Sequence, residues 1–172
     1  MSLAVREMRL AETRLVIDYF AGATPEYLDM MGVDPAKLML PDQWRARLET
    51  EFTLPDERRQ LFIVIWLLDD RPVGYSSCDK IVFGERANMH LHVTVPELRG
   101  KGIGTECVAR STEIYFRRFR LKQLFCQPHA LNVPAHRTLQ AAGFKYVKTY
   151  TTVPGPINFH QPVTQWVIDR SA

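Results

Sequence analysis

Three glycines at alternate positions, Gly100, Gly102 and Gly104, stand between an extended segment ending at Pro96 and a long stretch of helical periodicity. A strand that runs through a glycine turn straight into a helix belongs to a domain in which helices pack on a sheet. From Gly102 to about Arg118, Ile103, Cys107 and Ile114 fall on one helical seam, and Val108, Tyr115 and Phe119 on the next. Upstream, Asn88 to Val95 reads as a strand in which Asn88, His90, His92 and Thr94 share one face, while Met89, Leu91, Val93 and Val95 share the other.

The rest of the chain alternates between strand-like and helix-like segments, as expected of an α/β or α+β domain. Ala4 to Met8 predicts a short strand and Ala11 to Gly22 a helix. Pro25, Pro35, Pro41 and Pro55 then punctuate a region of short helices reaching Glu51, because proline is tolerated in a helix's first turn or just past its end. Leu61 to Leu68 is continuously apolar and predicts a strand covered on both faces. Asp69-Asp70-Arg71-Pro72 turns it into a second strand, Val73 to Val82, making an antiparallel hairpin. A turn at Gly84 leads to the strand before the glycines. Gln123–Gln127 is a short strand, Pro134–Ala142 a helix stopped by Gly143, and Lys145–Val153 and Gln165–Asp169 are further strands.

At 172 residues and 46% apolar content the chain can bury one core, so residues 1–172 are read as one domain. A net charge of +3 gives no concentrated basic stripe of the kind nucleic acid requires. The cluster Arg117, Arg118, Arg120 and Lys122 is assigned to a helix C-terminus, where cations complement the dipole. Cys78, Cys107 and Cys126 form no CxxC pair, which argues for free thiols in a reducing, cytoplasmic setting. The charged N-terminal stretch is unlike a signal peptide, and the longest apolar run is too short to span a bilayer, so no membrane partner is expected.

A glycine turn at a helix start suits a pyrophosphate, because the first helical amides lack intrahelical partners and carry the positive end of the dipole. Arg99 and Lys101 add charge there, and Thr105 a hydroxyl. The spacing fits neither a Walker A loop nor a Rossmann turn.

Arg99-Gly100-Lys101-Gly102-Ile103-Gly104 resembles the Arg/Gln-x-x-Gly-x-Gly/Ala signature of the GNAT acetyltransferases, and Pro96-Glu97 precedes it as in that family. Asn132-Val133-Pro134-Ala135 followed by Gly143-Phe144 is similar to the family's second motif. The resemblance covers residues 61 to 153, and upstream of residue 61 it is one of layout only. It implies a GNAT fold, with a mixed, mostly antiparallel sheet that splays at the strand before the glycines and carries helices on both faces. It also implies acetyl-CoA as co-substrate with no metal. The pantetheine amides would bond backbone groups of Val93 and Val95. The pyrophosphate would bond the loop from Arg99 and Gly100 through Lys101, Gly102, Ile103 and Gly104 to Thr105. Asn132 would bond the pantetheine arm, and the same residue reads equally as a helix N-cap.

Acetyl transfer needs a neutral amine, and a free primary amine has a pKa of about 10. His90 and His92 on the polar strand face are the candidate bases, His90 first because some arylalkylamine-type relatives carry histidine at a similar position. A pair of sheet histidines satisfied by neighbours gives the same pattern, and a metal reading lacks a third ligand at recognisable spacing. The family's usual general acid, a tyrosine, is replaced by Leu139. Tyr146, Tyr150, water or no dedicated acid would take its place.

The expected activity is direct acetyl transfer to a primary amine of a small molecule or peptide, without a cysteine nucleophile. The alternative is a catalytically impaired acyl-CoA-binding module with the same fold, and a third reading is an acyltransferase using longer acyl groups or a hydroxyl acceptor. A homodimer is left open. Acceptor walls are sought in the N-terminal helices and near the loop Val153–Pro162, although residues such as Tyr19, Phe20, Tyr27 and Trp44 read mainly as core.

Overall fold

The computed structural model describes residues 1–171. The strands are β1 (Leu3–Glu7), β2 (Leu61–Leu68), β3 (Arg71–Val82), β4 (Arg86–Val93), β5 (Gln123–Cys126), β6 (Lys145–Thr152) and β7 (Gln161–Asp169), and the helices are α1 (Arg14–Ala21), α2 (Pro25–Met30), α3 (Pro41–Thr53), α4 (Ile103–Phe119) and α5 (Val133–Ala141). The strands make one sheet in the order β1-β2-β3-β4-β5-β7-β6. Every neighbouring pair is antiparallel except β4–β5, which is parallel because α4 crosses between them. Among the described residues no helix is long and apolar enough to cross a membrane.

The continuous apolarity of β2 has a direct cause. Phe62, Val64 and Trp66 pack into a core with α4 and α5, whereas Leu61, Ile63, Ile65 and Leu67 pack into a second core with α1, α2 and α3. Period-two alternation therefore sends successive side chains into two different apolar interiors. The hairpin that follows is tighter than the sequence predicts. Its turn is Asp69-Asp70 alone, both left-handed with φ of 48° and 62°, and Arg71 and Pro72 already belong to β3. Pro72 is accommodated beside a bulge at Trp66/Leu67.

Proline organises the α1–α3 side as expected. Pro25, Pro35 and Pro41 each open a helical segment, and Pro55 directly precedes the 3-10 turn Asp56–Arg58. Thr24 Oγ1 accepts from the Tyr27 amide, and Asp34 Oδ1 from the Ala36 amide, so two of these segments are capped by the residue before the proline. In the basic cluster, the last turn of α4 carries Arg117 and Arg118, and Arg118 also pairs with Glu7 and Asp56.

Two strands differ from their predicted bounds in ways that shape the cleft. The strand before the glycines is Arg86–Val93, and Val95 opens a 3-10 turn, Pro96–Leu98, instead of continuing the ladder to Pro96. The last strand begins at Gln161, because Gln161 already pairs with Thr152. The connection from residue 153 to 160 is pinned to the α1–α3 side, where the Asp34 amide donates to Ile157 C=O and Asn158 Nδ2 donates to Gly32 C=O.

Candidate active site

The pairing of β4 with β5 lasts four residues, Arg86 to Met89 against Gln123 to Cys126. Beyond Met89 the strands part and leave one side of β4 open. The Thr94 amide bonds Val73 C=O, so by antiparallel alternation His92 and His90 also turn their backbone groups toward β3, and Leu91 and Val93 turn theirs into the opening. Val95 C=O accepts from Leu98 in its own turn.

The glycine loop sits at the end of that opening. Gly100 and Gly102 have φ of 73° and 81°, and a Cβ at either would meet nothing within 4 Å, so the backbone conformation alone requires glycine. A Cβ on Gly104 would meet Val93 and Thr138 at 3.8 and 3.7 Å, which is ordinary contact; a larger group would press into the space between β4 and α5. The amides of Gly100 to Gly104 have no hydrogen-bond acceptor among the described residues, and no side chain caps α4. Five consecutive donors at the positive end of a 17-residue helix form an anion cradle. Lys101 is exposed beside it and Thr105 is half-buried one turn in. Arg99 folds back, its Nε donating to Val93 C=O at 3.1 Å and its guanidinium lying 4.1 Å from the centre of the Tyr27 ring.

Asn132 caps α5, its Oδ1 accepting from the Ala135 amide at 3.3 Å. Leu139 is fully buried in the α4–α5 core. Of the substitute acids, Tyr146 is exposed and bonded to Thr149 on the edge strand β6, while the Tyr150 hydroxyl accepts from Gln127 Nε2, and Gln127 Oε1 accepts from Asn88 on the polar face of β4. Tyr150 is thus the tyrosine joined to the site. Burial pushes the Cys107 thiol up to about 11 and Cys126 up to about 12, and moves Cys78 in the same direction, so none is a ready thiolate.

The polar face of β4 points to the α1–α3 side. His90 Nε2 lies 3.1 Å from Asp79 Oδ2, off the line of a directed hydrogen bond, and among the described residues no group bonds His90 Nδ1. Burial disfavours charge on both partners, but mutual attraction outweighs it: the His90 pKa is raised and the Asp79 pKa lowered from their ordinary values. His92 is in a different setting. Its ring packs against Tyr75, Tyr19 and Phe20 at 4.8, 5.1 and 5.6 Å between centres, and its Nδ1 lies 3.3 Å from the Tyr19 hydroxyl, which in turn bonds the Tyr27 hydroxyl at 2.9 Å. Burial, with His90 and Arg99 nearby, pushes the His92 pKa down to about 3, so its ring is neutral at physiological pH and a weak base. The two histidines of the polar face therefore meet different surroundings: His90 reaches a polar cluster, and His92 is enclosed by aromatic rings.

Beside His90 is a cavity of about 110 Å³. Val16, Phe20, Trp44 and Ile157 give it apolar walls, and Ser77, Asp79, His90 and Arg47 supply polar groups. Asp79 and Arg47 went unrecognised in the sequence. Asp79 could have been found by alternation along β3, which places it with Ser77 on the face opposite Cys78; its meeting with His90 depends on a cross-strand register (Asp79 opposite Asn88) that sequence alone does not fix. Among the described residues no group of three or more His, Cys, Asp or Glu is placed to hold a metal ion.

A family model described as acetyltransferase (GNAT) family matches residues 27–144. The chain belongs to the GNAT acetyltransferase family. The GNAT fold is also that of aminoglycoside acetyltransferase AAC(6')-Ib in complex with ribostamycin and coenzyme A, which is 20% identical, with 99% of this chain and 94% of that one covered and a TM-score of 0.75. Ribosomal-protein-S5-alanine acetyltransferase from Vibrio fischeri is 17% identical, covering 98% and 93%, with a TM-score of 0.75. Spermidine N-acetyltransferase from Vibrio cholerae, in complex with CoA and spermine, is 15% identical, covering 97% and 95%, also with a TM-score of 0.75. No curated protein sequence matches the chain. This GNAT chain thus combines the family's glycine loop and sheet splay with a histidine–aspartate pair on the opposite side of the same strand.

Proposed function

We propose that this acetyltransferase moves the acetyl group of acetyl-CoA directly to a primary amine held in the α1–α3 cavity. One observation carries the reading: β4 leaves β5 after Met89, so a single strand offers free backbone groups to the cleft while its side chain His90 reaches the cavity. The relatives whose structures contain CoA or acetyl-CoA share this fold and support the same co-substrate.

In this reading the amides of Gly100 to Gly104 bind the pyrophosphate, aided by Arg99, Lys101 and the Thr105 hydroxyl. The backbone amides of Val93 and Val95, whose carbonyls already accept from Arg99 and Leu98, align the pantetheine arm together with Asn132. His90 Nδ1 accepts a proton from the amine, directly or through water, while Asp79 faces Nε2 and holds the tautomer that leaves Nδ1 free. His92 shapes the wall. The amine nitrogen forms a bond to the thioester carbonyl carbon, whose oxygen is polarised by a β4 amide. The carbon–sulfur bond then breaks, and the CoA thiolate takes a proton from water or through Tyr150.

Calorimetric titration with acetyl-CoA tests the cofactor half of the proposal. Wild-type protein is expected to bind and Gly102→Val to lose at least about 100-fold in affinity, because valine is strained at that φ and the cradle cannot form. Equal affinity in the two proteins would sink the loop assignment. Binding without thiol release for any amine would favour the non-catalytic module, which the buried Leu139 at the usual acid position supports.

A further inference from the structure

The wall of the acceptor cavity contains a cation with no direct hydrogen-bond or ion-pair partner among the described residues. Helix α3 directs Trp44, Arg47 and Leu48 inward, at the spacing of one helical face. Trp44 stacks on Phe20, with ring planes within 5°, and Leu48 is buried in the core, yet between them the half-buried Arg47 makes no hydrogen bond and no ion pair among the described residues. Asp79, the one carboxylate on the described cavity wall, feels the charge of Arg47, which helps to lower its pKa, but it lies beyond ion-pair distance and contacts His90 instead. A half-buried guanidinium left without a direct partner is a ready seat for an anion, and its planar fork matches a carboxylate.

The cavity's charge also bears on what can enter. Asp79 is its one acid, set against Arg47 and His90, so the wall has no surplus negative charge for a polyamine or an aminoglycoside. A ligand that brings one carboxylate, one amine and an apolar body would satisfy all three parts of the wall: Arg47, the His90–Asp79 pair, and the surface of Val16, Phe20, Trp44 and Ile157. Resting on the transferase reading above, we propose that the acceptor is an amino acid with a hydrophobic side chain, and that Arg47 is the specificity residue that binds its carboxylate.

The test compares L-leucine with 3-methylbutylamine, which has the same side chain but no carboxylate, and includes spermidine as a polycation. Thiol release from acetyl-CoA is measured for wild type, Arg47→Met and Arg47→Lys. Wild type is expected to prefer leucine in kcat/KM. Arg47→Met should lower the leucine-to-amine ratio by roughly 10–100-fold, the usual scale of a charge-assisted pair, and Arg47→Lys should keep part of it. Comparing that ratio between variants cancels the intrinsic basicity of the two amines. Thermal unfolding checks that Arg47→Met folds, and Arg47→Lys serves in its place if it does not. An unchanged ratio, better turnover of spermidine than of leucine, or no heat when leucine is titrated into the CoA-bound protein would each overturn the amino-acid assignment while leaving the transferase reading intact. Failure of acetyl-CoA itself to bind would instead take down the transferase reading and this assignment with it.

Discussion

The two faces of the sheet are built to different specifications. On the α4–α5 face the large side chains Trp66, Tyr115, Phe119, Leu124 and Leu139 have no exposure. The polar atoms among them are paired: Trp66 Nε1 donates to Ser111 Oγ at 2.9 Å, and the Tyr115 hydroxyl to Ser76 Oγ at 2.8 Å. On the α1–α3 face lie the cavity, Arg47 without a direct partner, and the buried side-chain atoms that lack directed hydrogen bonds among the described residues: the Tyr75 hydroxyl, Asp79 Oδ1, His90 Nε2 (which has only its ion-pair contact with Asp79 Oδ2) and, under Gly32, Gln161 Oε1. Unpaired buried polar atoms are rare where stability is the only demand. Their concentration on one side separates a face that closes the fold from the one on which the acceptor site is proposed.

The sharpest way to break this contrast is to damage each face in turn. Trp66→Ala on the closed face is expected to cost about 3–5 kcal/mol, since a fully buried indole is replaced by a cavity and Ser111 loses its donor; chemical denaturation reads the loss. On the open face, His90→Ala should reduce kcat by roughly 10²–10⁴-fold with acetyl-CoA affinity preserved, the usual worth of a general base. Asp79→Asn should have a milder effect on the same pair. Without the carboxylate the His90 pKa falls, so the acidic limb of kcat/KM moves to lower pH while the plateau drops about tenfold because the base is weaker.

Smaller effects test the aromatic enclosure. The His92 pKa is about 3 in the folded chain against an ordinary 6.5, so the unfolded chain binds the extra proton first. Its contribution to stability is fully present above about pH 6.5 and is lost as the pH falls from there toward 3. Replacing His92 with phenylalanine should flatten that part of a stability-versus-pH curve and change little at pH 8; an unaltered acid slope would show that the ring does not carry it. Tyr75→Phe, which removes a buried hydroxyl without a partner, is expected to be neutral or stabilising by up to about 1 kcal/mol in thermal unfolding. A clear destabilisation there would mean that the open face is satisfied internally after all.

Features governed by local chemistry were legible in the sequence. The run Leu61–Leu68 is a strand with those same bounds, the prolines open their helices, and Gly143 follows α5 with φ of 94°. The glycine loop was legible because a left-handed backbone leaves a mark on residue identity. What depends on register or on distant packing was not. Nothing in the sequence around Asp79 announces that it meets His90, and Tyr19 reads as an ordinary core aromatic until folding sets its hydroxyl 3.3 Å from His92. The strand before the loop lies earlier than the sequence suggests, because Pro96 marks where a ladder must have stopped, whereas this one stops at Val93, ahead of the 3-10 turn.

The proline-opened pieces on the α1–α3 side have an engineering consequence. Each of Pro25, Pro35 and Pro41 starts its segment afresh, and none of those segments contributes a strand to the sheet. Only α3 among them lines the cavity, through Trp44 and Arg47, whereas α2 touches the glycine loop through Tyr27 and Arg99, so α3 is the part whose exposed and cavity-facing positions can be varied without touching that loop. Under the proposed acceptor assignment, α3 is the replaceable cassette, and the natural place to graft a new acceptor preference.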